Sequence, residues 1–516
     1  MAAALGLLLL EPLAGVAGVA GLGGLAGTTV FGVGLPTIVG GAALIGASIG
    51  LQYALGQPSL PKPESGSQAI KQAIPPRIRG YGLNRLAGYY MLFEANGPAP
   101  AGSYDVLALH SGKVDSFITF YLSDDPVVTV SDISHGGQSL ITSAFSDGRY
   151  GSFIKVETAL GTMGQGASAM LYTDPLISAY WTSNHRGAGI AWAAMVCGGP
   201  NDPQVYSRTF PRGHPELSVL TACSPIWDAR DGTQSEANPA TWKFQRNPVI
   251  ELIDYLTNPD GGMGLDRSSI LPSAALTKWL DEAGLCDALV PRSDGSTELR
   301  YRSDGWYRYS DNPEDVIGSI LATCDGWMAE AGDGTLALTV GVYRAPTDPP
   351  ITGKHILGFS LNYGQADEQL VNVLDISFND PNAKYVQVDL GSIRDEDSIS
   401  ETGIERPKPL ALPWVQSFSQ ASRLGFRAMQ RLNPEMTGTF TTTLYGLRYL
   451  GKRWVPLQYP YIAGLEDCVV EIQNAEVDLL GGRITWTFNV IDTDKIEAYD
   501  PEVNELPEPT QPPLIT

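Results

Sequence analysis

NPEDVIGSILATCDGWMAEAGDGTLALTVGVY, from Asn312 to Tyr343, carries a helix and a hairpin in one run. Asn312 offers a side-chain acceptor for a free amide at a helix start, and Pro313 supplies a preset φ at the first helical position. Glu314 and Asp315 then fall in the first turn, where the helix dipole favours carboxylates. Trp327 follows the helix, GDGT (Gly332–Thr335) forms a tight turn, and LALTVGVY reads as the returning strand. A helix that feeds a hairpin predicts a mixed α+β fold.

The same helix start recurs upstream. NPVIELIDYLTNP (Asn247–Pro259) opens on Asn247 and Pro248, and Val249, Ile250, Ile253 and Leu256 follow at helical spacing. LPSAALTKWLDEAGLCD continues as a helix containing Leu276, Trp279 and Leu280. Further out the pattern is strand. IPPRIRGYGLNRLAGYYMLFEANG, from Ile74, alternates and carries Gly80 and Gly82, which predicts paired strands. YDVLALHSGKVDSFITFYLSDDPVVTV (Tyr104–Val130) reads as strands with turns at His110–Gly112 and around Asp124–Pro126. WTSNHRGAGIAWAAMVC (Trp181–Cys197) ends in a strand apolar on both faces, hence buried. From Leu361 to Ile491 strand predominates, interrupted by one helix, QSFSQASRLGFRAMQRLNP. PEVNELPEPTQPPLIT at the end is expected not to fold.

The 516 residues exceed one hydrophobic core, which stops growing near ~250–300 residues. With 57 Gly, 37 Pro and 17% charged residues, the composition suits a turn-rich, strand-rich chain. A net charge of −22 repels phosphates and argues against a tight, non-specific grip on nucleic acid; it also serves solubility. Cys197, Cys223, Cys286, Cys324 and Cys468 are scattered, with no CxxC pair, and read as reduced structural thiols of a cytosolic product.

Met1 to Pro61 holds one charged side chain, Glu11, and lacks both the basic start and the cleavage site of a secretory signal. Within it Thr37–Gly56 (TIVGGAALIGASIGLQYALG) is long enough, as a helix, to cross a bilayer core of ~30 Å. Thr37, Ile38, Gly40, Gly41, Leu44, Ile45, Gly46, Ile49, Gly50, Tyr53 and Gly56 are its candidate packing or membrane-facing positions. Gly46 and Gly50 make a GxxxG, which permits close helix approach. Three roles fit: a membrane anchor, an apolar segment packed inside an oligomer, or one stored there and released into a membrane.

Catalytic constellations are weak. His185–Arg186 with Asp228 is a conceivable acid/base set, but such singles are usually structural. GASIG around Ser48 has the letters of a nucleophile elbow without the strand-to-helix context. Asp395, Glu396 and Asp397 form an acidic run that reads as a solvated loop before a calcium site. GQGASAM lacks the Lys-Ser/Thr of a P-loop. Neither a metal site nor a cofactor site is expected.

Taken in order, these segments resemble the lambda-like tip attachment protein J family and the large tail-tip proteins of gene transfer agents. IPPRIRGYGLNRLAGYY is similar to the family's opening motif, YDVLALHSGKVDSFITFYLSDDPV to the segment after it, and WTSNHRGAGIAW to its WT-x-x-HRG motif. SPIWDARDGTQ resembles its aspartate-arginine turn, with Ala229 where Pro is commoner, and NPVIELIDYLTNPDGGMGL resembles its next helix. The stretch quoted first resembles the place where a helix delivers a Trp to a hairpin. LVNVLDISFNDPNAKY, LPWVQSFSQASRLGFR and TGTFTTTL complete an ordered series over roughly four fifths of the chain.

The resemblance implies an α+β, multidomain, β-rich hub with tube-like β-barrel domains, a helix-containing middle domain and the apolar N-terminal segment before them. The expected divisions are 1–61, 62–246, 247–345, 346–498 and a tail, 499–516. It implies a structural virion protein and not an enzyme: a homotrimeric hub of a bacteriophage tail tip, made in the host cytoplasm. Its partners would be the distal tail protein, the tail tube and other tip proteins, with DNA passing through unbound. Residues 1–56 would plug or line the axis and enter the host envelope on ejection. Two other classes stand beside it: a membrane-anchored cell-surface or secretion protein, favoured by residues 1–61, and a glycan-active tail-tip enzyme, which needs a convergent acidic pair in a cleft.

Overall fold

A computed structural model describes residues 43–44, 75–96, 102–143, 150, 153–200, 202–364 and 370–510. The fold is mixed α+β and rich in strand, with two large curved sheets and a helical layer.

The first sheet runs in the order Leu83–Leu86, Leu217–Ala222, Ser116–Leu122, Asp125–Thr129, Gly137–Ser143, Ile154–Leu160, Ile190–Cys197, Gly102–Ser111, Tyr89–Asn96. Its two edge strands, Leu83–Leu86 and Tyr89–Asn96, are consecutive in the chain, so the sheet curls into a half-barrel. The bend sits at Gly88, whose φ is +67° and where a Cβ would lie 2.1 Å from the Ala108 carbonyl oxygen; only glycine fits. Leu107, Phe117, Phe120, Val156, Met195 and Val219 fill the concave side. Strand Ile190–Cys197 is buried almost throughout, as its two apolar faces predict.

The second large sheet orders Ile351–Thr352, Trp454–Gln458, Cys468–Asp478, Arg483–Val490, Met436–Thr443 and Ile356–Tyr363, around Phe440, Tyr449, Trp486 and Phe488. A third core joins helices Pro248–Thr257, Ser273–Cys286 and Pro313–Ala322 to helix Phe418–Leu432 and to the small sheet of Val386–Arg394, Val373–Asp380 and Pro407–Leu412.

The helix starts are as the sequence predicts. The Asn247 side chain accepts from the Val249 amide and Asn312 caps the helix beginning at Pro313. Asn247 is buried and also donates to the Ala283 carbonyl at 2.9 Å, so one side chain caps one helix and ties it to the next. Replacing it with alanine removes both bonds and leaves the Ala283 carbonyl only its 3.2 Å bond from the Asp287 amide. Asn247→Ala is expected to cost about 1–2 kcal/mol, against under about 1 kcal/mol for Asn312→Ala, in denaturant unfolding. The GDGT turn closes through Gly334 N–H to the Ala331 carbonyl at 2.9 Å.

Three expectations are corrected. The strands after Ile74 form but do not pair with one another: Ile78–Tyr81 pairs with Gly305–Arg308, Leu83–Leu86 with Leu217–Ala222, and Tyr89–Asn96 with Gly102–Ser111. The acidic run is not a loop; Asp395 caps helix Glu396–Thr402, accepting from the Ser398 amide at 3.0 Å. The Pro-rich tail is folded as far as 510. Asp500 caps the turn Pro501–Asn504, Leu506 packs on the third core, and Glu505 accepts from Ser293 Oγ at 2.6 Å and from Ser419 Oγ.

Candidate functional site

Thr37, Ile38, Gly40, Gly41, Ile45, Gly46, Ile49, Gly50, Tyr53 and Gly56 lie outside the described residues, as does Ser48. Leu44 belongs with Ala43 to a two-residue strand that pairs antiparallel with Ala475 and Glu476. His185 and Asp228 are each engaged by their own neighbours. The His185 ring stacks on Trp181 and its Nδ1 accepts from the Thr182 amide at 2.9 Å, while Asp228 holds Arg230 at 2.8 Å. That Asp228–Arg230 pair, extended by Arg230 to Asp287 at 2.7 Å, is the aspartate-arginine turn of the sequence. Among the described residues no His/Cys/Asp/Glu group is arranged to hold a metal ion, and no helix is long and apolar enough to cross a membrane.

What the fold does bring together is a buried charged joint. Asp325, between helix Pro313–Ala322 and strand Trp327–Glu330, meets Arg427 Nε at 2.9 Å, Arg431 Nη1 at 2.5 Å and Arg453 Nη2 at 3.0 Å. Arg453 also donates to the Asp325 carbonyl at 2.7 Å and to Glu471 at 2.7 Å, and Arg427 reaches Glu497 at 2.6 Å. Three carboxylates thus face three guanidinium groups, so the joint is neutral. Burial alone would push the Asp325 pKa up, but Arg431, Arg453 and Arg427 together outweigh it and hold the carboxyl far below the usual range. Asp325 adopts φ +48°, a conformation most side chains avoid, which the four-way contact over-determines. Trp327 crosses the same seam, donating Nε1–H to the Ile472 carbonyl at 3.0 Å.

A second joint ties the half-barrel to the helical layer. Arg79 and Tyr81 converge on Asp254 at 2.9 and 2.7 Å, and Arg246 grips Asp304, which also accepts from the Leu83 amide at 2.8 Å. His110 is buried beside them. Desolvation, then the Arg79 charge, pushes its pKa down to about 4, so its Nε2 is free to accept from the Gly80 amide at 2.9 Å. These groups lock segments together. Sequence reading missed them, although Arg423, Arg427 and Arg431 stand four apart on one helix face, a visible stripe.

The outward face of the half-barrel shows Ile118, Val128, Val130 and Leu140 to solvent, with Val130 and Leu140 adjacent through a 3.0 Å backbone bond.

Strand-rich layers with charge-locked seams are what the described residues form. No protein-family model matches the chain, and no curated protein matches it. Among solved structures it is similar to a chain of the virion of the native gene transfer agent particle. The TM-score is 0.51 at 13% identity, covering 87% of this chain and 93% of that one. It also matches the 43 kDa tail protein of prophage MuSo2 from Shewanella oneidensis (TM-score 0.27, 11% identity, 79% and 91% covered). A tail protein from Neisseria meningitidis MC58 matches with a TM-score of 0.29 at 10% identity, 80% and 95% covered. The first likeness shows a shared fold; the other two are too distant in shape to carry weight.

Proposed function

We propose that the chain is a structural virion protein of a phage-type tail, acting as the trimeric central hub of the tail tip. In this reading it closes the tail tube, joins it to the distal tail protein and other tip proteins, and opens for DNA ejection. The observation that carries the reading is the fold shared, over most of both chains, with a component of the gene transfer agent virion. The ordered motif series of the sequence supports it. So do the two locked joints, which suit a part that bears load, and the apolar outer patch at Ile118, Val128, Val130 and Leu140, which suits assembly.

The reading also gives the net charge of −22 a task, because DNA slides past negative walls without sticking. Residues 1–56 then plug or line the axis before infection and enter the host envelope on ejection. A cryo-EM map of the assembled particle tests all of this. Three copies around the axis, a net acidic lumen and axial density from residues 1–56 are expected. One or six copies sink the hub, and a lumen lined by Lys and Arg sinks the role given to the charge.

A further inference from the structure

The aspartate-arginine loop builds a groove that assembly alone leaves without a purpose. Strands Pro225–Ile226 and Lys243–Phe244 pair antiparallel, with Ile226 opposite Lys243. Continuing that register by one residue sets Trp227 opposite Trp242, so both indoles project from one face of the ribbon. Both are half-buried, and both line an open groove of about 370 Å³ whose far wall is the end of helix Pro248–Thr257, through Ile253 and Asn258.

The rings are fixed in advance. Trp242 donates Nε1–H to the Ser235 carbonyl at 2.9 Å. The Arg267 guanidinium lies 5.6 Å from the Trp227 ring centroid and is tied to Glu236 at 2.5 Å. The intervening loop is braced by Lys243 on Asp231 at 2.7 Å and by the Asp228–Arg230 pair. The groove therefore joins two flat apolar faces to a rim of planar polar groups, Glu236, Asn258 and Arg267, with little left to order on binding.

A pyranose ring has the matching surfaces. One face is a patch of C–H groups that packs on an indole, and the equator carries hydroxyls that pair in plane with carboxylate, amide and guanidinium groups. We propose that this groove binds a sugar ring of a surface polysaccharide and holds it without cleaving it. The carboxylates at the groove have other work. Asp254 is taken by Arg79 and Tyr81, and Glu236 by Arg267. Asp266 caps the helix Arg267–Ile270, and the hydroxyls of Ser269 and Ser268 hold its pKa below the ordinary range, so it keeps no proton to donate. A proline-rich peptide is the other ligand that tryptophan grooves take, but it presents few polar groups to such a rim. The proposal goes beyond the assembly reading and does not depend on it.

The test is calorimetric titration of the full-length chain with chitotetraose, cellotetraose and maltotetraose, and with a proline-rich decapeptide. Saturable binding of at least one oligosaccharide is expected. Trp242→Ala should weaken it about tenfold or more, and Trp242→Phe by no more than about threefold. Ser268→Trp, at an exposed position on the rim, fills the groove and should abolish binding, while the unfolding midpoint falls only by what loss of the exposed Ser268–Asp266 hydroxyl bond accounts for. Binding of none of the three sugars, binding of the peptide alone, or sugar binding that survives Ser268→Trp overturns the proposal.

Discussion

Asp325→Ala is expected to cost about 3–5 kcal/mol of folding stability, because it removes one partner from a buried charge cluster and leaves the others uncompensated. The carboxylate is 1% exposed and touches Arg427, Arg431 and Arg453. Without it the joint has three guanidinium groups facing the buried Glu471 and the part-exposed Glu497, a net positive charge with little access to water. Asp325→Asn keeps the shape but not the charge and should cost nearly as much, which separates electrostatics from packing. Urea unfolding monitored by tryptophan fluorescence reads both; a loss under about 1 kcal/mol for either would mean that water relieves the joint. The acid limb follows from the same contacts. The folded pKa of Asp325 is depressed, so its contribution is complete above the unfolded carboxylate value of about 3.9 and disappears as pH falls below it. Wild type should therefore lose stability more steeply below that pH than Asp325→Asn does.

What was legible in the sequence was local. The helices after Asn247 and Asn312 could be read because their caps, first-turn acids and apolar spacing sit within a few residues. The GDGT hairpin could be read for the same reason. Strand partners could not. Ile78–Tyr81 alternates like a hairpin arm, yet its partner Gly305–Arg308 lies beyond the half-barrel and the helices Pro248–Thr257 and Ser273–Cys286. The tail misled through composition. Pro501–Asn504 is too short to fold alone, but it and Leu506 need only a surface supplied by helix Phe418–Leu432, where the Ser422 hydroxyl accepts from the Leu506 amide at 3.1 Å. The joint was half visible: the Arg423–Arg427–Arg431 stripe is plain, whereas the carboxylates it meets, Glu298, Asp325, Glu471 and Glu497, come from four separate segments. The tryptophan groove hides for a similar reason, since Trp227 and Trp242 meet only when the loop between them closes.

Glu251 leads to the opposite pH behaviour. It lies in the first turn of helix Pro248–Thr257, where its charge would suit the helix dipole, yet it is 0% exposed. Neither carboxylate oxygen has a hydrogen-bond partner. Desolvation is the largest influence on it and drives its pKa well up. Ser303 and Arg246 pull the other way, and Asp304 and Cys324 add to the rise. Ser303 Oγ stands near but makes no hydrogen bond, so the push of burial prevails. A raised folded pKa means that the native chain keeps a proton which the unfolded chain releases above about 4.3. The stability this proton brings is whole below that pH and drains away at about 1.4 kcal/mol per pH unit as pH climbs toward the folded pKa. Glu251→Met keeps an unbranched helix-forming side chain of similar volume and removes both unpaired oxygens. At pH 5 the variant and wild type should differ by under about 1 kcal/mol, and the variant should become the more stable of the two as pH rises to 8. Urea midpoints taken across that range decide it. Curves that stay parallel from pH 5 to 8 would show that Glu251 is ionised in the folded chain, with its charge answered by Arg246.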